Sequence, residues 1–136
     1  MRQITMNSQD IERIQAALKE AIAQSKINPS EASALIQELR KAKAVEPKKV
    51  PATVVTMNSI VEIFIASTGK TMTIQVVYPE HADLKQNKIS ILSPIAAAII
   101  GYRVGDEVSW TVPAGQTTIR IEKLVYQPEA AGDYSL

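Results

Sequence analysis

The chain has 136 residues, 46% apolar and 21% charged, the balance of a globular protein with room for one ordinary domain, or for about 85 residues of domain plus a helical appendage. The absence of cysteine excludes disulfides and thiolate metal sites, and the single histidine, His81, leaves no basis for a zinc centre. The net charge of +1 divides unevenly, with nine Lys/Arg against six Asp/Glu (+3) in residues 1–50 and six against eight (−2) in residues 51–136. Neither half carries the basic stripe that grips phosphate backbones, so a protein partner is expected and direct sequence-specific nucleic-acid binding is not.

The N-terminus lacks a secretory apolar run, and no stretch approaches the roughly 20 apolar residues needed to cross a bilayer. A cytoplasmic protein without a membrane partner is the expectation. From Gln9 to about Gln24, Ile11, Ile14, Leu18 and Ile22 recur at spacings of three and four, with Ala17 and Ala21 on the same face, which predicts a helix. Asn7 or Ser8 supplies its cap, and Asp10 and Glu12 suit the positive end of its dipole.

A second helix is signalled by Asn28 as cap, Pro29 at the first helical position and Glu31 three residues after the cap. Its stripe is Ala32, Leu35, Ile36 and Leu39, and Arg40, Lys41 and Lys43 gather where the dipole favours cations. The pair reads as an antiparallel hairpin over residues 1–45 with arms of roughly 24 Å. The alternative reading packs both helices on the following domain as core. Residues 46–51, Glu46 to Pro51, form a linker.

After Pro51 the period changes to two. Val61, Ile63 and Ile65 face one way, a turn falls at 67–70, and Met72, Ile74 and Val76 return, which is a hairpin pattern. Val108, Trp110 and Val112, then Ile119 and Ile121 beyond Pro113-Ala114-Gly115, make a second. The phase slips at Leu124 and Tyr126, predicting a bulge near Lys123. Between the hairpins a short helix is capped by Ser93, begins with Pro94, buries Ile95, Ile99 and Ile100, and ends at Gly101. The tail from Gln127 to Tyr134 has no period and reads as coil. The expected fold class is α+β, a helical hairpin followed by an antiparallel sheet domain with one short helix over residues 52–136.

No nucleophile with a base partner, phosphate loop or paired carboxylates can be found, so no catalytic, cofactor-binding or metal-binding residue is assigned and no cofactor is expected. Gly101 and Gly105 around Tyr102-Arg103-Val104 read as a helix end and a turn. His81, in a polar loop, has no partner with which to relay protons. Lys48 and Lys49 read as solvated.

The run from Ile89 to Val108, ISILSPIAAAIIGYRVGDEV, together with Val112 to Gly115 and the strand Ile119 to Tyr126, resembles the C-terminal domain of the transcription factors GreA and GreB. Val54 to Ser59 and the ending Tyr126 to Tyr134 are similar to the regulator of nucleoside diphosphate kinase (Rnk) family within that superfamily. The resemblance implies an FKBP-like domain that binds the rim of the RNA polymerase secondary channel, preceded by a coiled-coil hairpin. It places Leu92, Ser93 and Pro94 at the polymerase contact, with Leu92 where Gre factors commonly carry an acid.

The hairpin tip, Lys26, Ile27, Asn28 and Glu31, separates the family's behaviours. Transcript cleavage, as the resemblance implies, needs helices about twice as long and tip acids that help to hold magnesium, a hard cation that wants several carboxylate oxygens. Here one carboxylate, Glu31, stands beside Lys26. A monomeric, non-catalytic regulator that binds RNA polymerase and competes with Gre factors is therefore expected. The alternatives are a transcript-cleavage factor and an FKBP-type prolyl isomerase, the latter disfavoured because only six aromatics are available to line such a site. Sequence is silent on a direct effect on nucleoside diphosphate kinase.

Overall fold

A computed structural model describes residues 4–24, 35–37, 39–112 and 115–132. It is an α+β protein with an N-terminal helical region and a C-terminal mixed sheet. The first element is a strand, β1 (Thr5–Asn7), which the sequence pattern did not announce. It runs directly into helix α1 (Ser8–Ala23), whose N-cap Asn7 accepts a bond from the Gln9 amide at 2.9 Å. Residues 35–37 and 39–41 are helical (α2). A second short strand, β2 (Lys43–Val45), then pairs in parallel with β1. The ladder joins the start of the first helix to the end of the second.

Buried Ile14 and Leu18 of α1 and Leu35 and Leu39 of α2 belong to the same apolar cluster as Val55, Met57, Ile91 and Ile99. The three-and-four spacing thus faces inward, as amphipathic helices require. Ile22, placed by the same spacing on the buried face, is 43% exposed near the far end of α1. The segment expected as a linker holds a 3-10 turn, Pro47–Lys49, and the buried Val50.

The main sheet has the order β5-β4-β3-β7-β6. Its strands are β3 (Ile60–Ile65), β4 (Lys70–Val77), β5 (Lys88–Ser90), β6 (Glu107–Val112) and β7 (Gly115–Tyr126). Both expected hairpins form, and β3 pairs antiparallel with β4 and β7. The sheet is not wholly antiparallel, because β5, too short to show a period, lies parallel to β4. The alternation buries Val61, Ile63 and Ile65, then Ile74 and Val76, then Ile119 and Ile121. Met72 departs from the expected pattern and is exposed, since residues 70–73 at the turn end all lie outside the core.

The β3–β7 register skips Glu122 and Val125, two bulges flanking Lys123. They let Leu124 pack against the core after Ile121 despite the odd spacing, while Tyr126 is half-buried.

Helix α3 (Pro94–Ile99) buries Ala96, Ile99 and Ile100, while Ile95 is only half-buried. Gly101 does more than end it. Its φ is +82°, and a Cβ there would lie 2.9 Å from the Ile4 Cβ. The glycine amide donates to the Val55 carbonyl and its carbonyl accepts from Thr5, so the bare backbone lets the N-terminal strand come close. The tail is not coil throughout, because α4 (Pro128–Ala131) forms over the side chain of Gln127, which accepts from the Ala130 amide.

Candidate functional site

Leu92 and Ser93 stand at the turn between β5 and α3, where the Ser90 hydroxyl accepts from the Leu92 amide at 3.1 Å and the Ser90 carbonyl from the Ser93 amide at 2.9 Å. Both side chains are half-buried, and Pro94 is the first helical residue. Ser93 occupies the cap position with extended backbone, φ −75° and ψ 148°. Its side chain does not cap as expected. The hydroxyl makes no bond to the first turn, and its oxygen is buried without a partner among the described residues, a costly arrangement for a hydroxyl.

Leu92 does not stand alone. It lines a hollow with Ala17, Glu20, Ala21 and Gln24 of α1 and with Pro79 and Glu80. The docking turn expected from sequence and the outer half of α1 are therefore walls of one cleft. The cleft continues past Glu20 and Glu80 to Arg13, Asn58, Tyr78 and His81. His81 ends a 3-10 turn, Pro79–His81, and is exposed. The tip residues Lys26, Ile27, Asn28 and Glu31 lie outside the described residues.

At the root of α1 the structure assembles polar groups that sequence reading left unconnected. Asp10, expected to suit the positive end of the helix dipole, is also buried, only 4% exposed. Its Oδ2 accepts from the Met57 amide at 3.1 Å. Burial pushes its carboxyl up to about 7, the Met57 bond pulls it down, Glu129 pushes it up again, and Arg13 opposes that. Burial, and then the charge of Asp10, also raises the nearby Tyr78 hydroxyl. That hydroxyl feels Asp10 and Arg13 but has no hydrogen bond of good geometry among the described residues.

Glu129 of α4 reaches the same place. One carboxylate oxygen accepts from Asn7 Nδ2 and the other from Thr56 Oγ1, both at 2.7 Å. Thr56 is held by Ser59, whose hydroxyl lies 2.8 Å from the Thr56 hydroxyl and accepts from the Thr56 amide at 3.0 Å. Gln127 Nε2 donates to the carbonyls of Pro51 and Val54. The runs 54–59 and 126–134, singled out by resemblance, are therefore bonded to each other. Their carboxylate and amide residues, far apart in sequence, were the available signal. Among the described residues no group of three or more His, Asp or Glu is placed to hold a metal ion, and no helix is long and apolar enough to cross a membrane.

The family model for the C-terminal part of the transcription elongation factors GreA and GreB matches residues 50–126. The regulator of nucleoside diphosphate kinase from Escherichia coli K12 is 40% identical over 135 residues, covering 98% of this chain and 96% of the relative. Transcription elongation factor GreA from Hyphomonas neptunium is 36% identical over 95 residues, 70% of this chain but 60% of that protein. A solved GreA/GreB elongation factor from Nitrosomonas europaea superposes with a TM-score of 0.74 at 35% identity, covering 91% of this chain and all of that one.

Proposed function

We propose that this chain, which belongs to the GreA/GreB superfamily and to its regulator of nucleoside diphosphate kinase family, is a non-catalytic transcription regulator that docks on RNA polymerase. It binds near the rim of the secondary channel and competes there with Gre factors. The observation that carries this reading is the 40% identity to a regulator of nucleoside diphosphate kinase over nearly the whole of both chains. Against the transcription elongation factor GreA the similarity reaches only 60% of the relative.

In this reading residues 1–45 act as a short coiled-coil hairpin, 46–51 as its connection, and 52–136 as an FKBP-like docking domain. The 16 residues of α1 span about 24 Å. A tip carrying Glu31 beside Lys26 lacks the group of carboxylates that a magnesium ion requires. Leu92, Ser93 and Pro94 form the contact, and the cleft beside Leu92 brings α1 up to it. The protein works in the cytoplasm as a monomer.

The test is a pull-down with core RNA polymerase, followed by competition with a Gre factor at the same salt. Retention of the protein and displacement by the Gre factor are expected. Failure to retain it under conditions where the Gre factor binds refutes the docking, and shortening of RNA in a backtracked complex on its addition refutes the absence of catalysis.

A further inference from the structure

The family match ends at Tyr126, and the polar bonds that hold the root of the helical hairpin come largely from residues outside it. Asn7 precedes the matched segment, and Gln127 and Glu129 follow it. Glu129 bridges two partners that its position in sequence does not join, Asn7 at the junction of β1 and α1 and Thr56 in the loop that leads to β3. Gln127 fastens the same tail to the carbonyls of Pro51 and Val54 while its own oxygen caps α4. Apolar packing of Ile14 and Leu18 supplies attraction but little direction. Charged hydrogen bonds supply direction, because their geometry tolerates little rotation.

We propose that the C-terminal segment is a latch, and that Glu129 is a positioning residue that fixes the angle at which α1 lies on the sheet domain. The latch holds Asn7, and Asn7 caps α1, so an oriented carboxylate on the tail sets where the first turn of the helix sits. Asp10, one turn further on, then meets the Met57 amide. The inference stands on bonds within the chain and is independent of the proposed polymerase docking.

Two amides report the seat of α1, that of Met57, which donates to Asp10, and that of Gln9, which donates to Asn7; neither bonds to Glu129. Hydrogen exchange followed by NMR on the full chain, with Glu129 intact, as E129A and as E129Q, tests the latch. In E129A the Met57 amide should exchange about tenfold faster, the equivalent of one charge-assisted bond. The ladder amides of β3 should keep their rates. E129Q, which retains an acceptor oxygen, should recover part of the protection.

An unchanged Met57 rate in E129A overturns the latch. So does an equal acceleration of the β3 amides, which would make Glu129 a residue of global stability. Thr56→Val removes the other donor without touching the α1 cap, and it should accelerate the Gln9 amide, which bonds to Asn7 and lies far from Thr56 in sequence; no change there overturns the bridging role.

Discussion

Replacing Asp10 by asparagine should remove most of the protein's dependence of stability on pH between 5 and 8. The Asp10 carboxyl has an ordinary value of 3.8 and is raised to about 7 in the fold, chiefly by burial. A raised carboxyl binds its proton more tightly in the native state than in the unfolded one. Its contribution to stability is therefore full below pH 3.8, declines as pH rises through the window up to about 7, and is lost above it. The whole shift corresponds to about 4 kcal/mol, and the portion lost between pH 5 and pH 8 to about 2.5 kcal/mol.

With a urea slope of roughly 1–3 kcal/mol per molar, the unfolding midpoint should fall by about 0.8 to 2.5 M over that interval. Asparagine keeps the size of the side chain and an oxygen for the Met57 amide, and it does not titrate. D10N should therefore show a nearly flat profile and exceed the parent chain in stability at pH 8. Urea titrations of both proteins at half-unit steps, compared by difference, isolate the contribution of Asp10. Parallel profiles from pH 5 to pH 8 would refute the argument that burial governs this carboxyl.

Gly101→Ala places a side chain at φ +82° against Ile4, and a cost of about 2–4 kcal/mol is expected, read as a lower urea midpoint. Leu92→Ala, in the cleft beside α1, should weaken polymerase binding about tenfold in competition with a Gre factor, with an unchanged sheet spectrum by circular dichroism. Leu84→Ser is the control, since Leu84 is 79% exposed, and its stability should stay within about 0.5 kcal/mol of the parent. Lys26→Asp should not confer transcript cleavage in a backtracked complex, because one added carboxylate does not lengthen the arms.

The elements with a sustained period were readable from the residues alone. Ile14, Leu18 and the alternating Val61-Ile63-Ile65 each repeat often enough to state which face is buried, and the phase slip at Leu124 located the bulges on either side of Lys123. What escaped were segments of three or four residues. Strands β1, β2 and β5 are too short for a period to show, and they exist because a neighbour presents a backbone to pair with. Helix α4 follows from one side chain, Gln127, that bonds both ways. Ser93 shows the opposite error. A serine before a proline at a helix start fits the capping rule, yet its hydroxyl points into a buried space and caps nothing.

The candidate site was legible only in part, and the reason is physical. The turn Leu92-Ser93-Pro94, expected at a polymerase contact, lies within one local run, so resemblance could point to it. The root of the hairpin is assembled from Asn7, Asp10, Thr56, Tyr78 and Glu129, whose separations of up to 122 residues no local pattern spans. Asp10 looked like an ordinary first-turn acid because its sequence neighbours are those of an exposed helix start. Only the approach of Met57 and Tyr78 from the domain makes it a buried carboxylate.

The same contacts bear on how the two functional parts relate. Because Leu92 and α1 share one cleft while Asp10 and Glu129 hold the root of α1, a partner that docked as proposed at the Leu92 turn would meet a helix whose position is already set. On the proposed reading, the orientation of α1 is then settled before binding, and little entropy remains to be lost in aiming it.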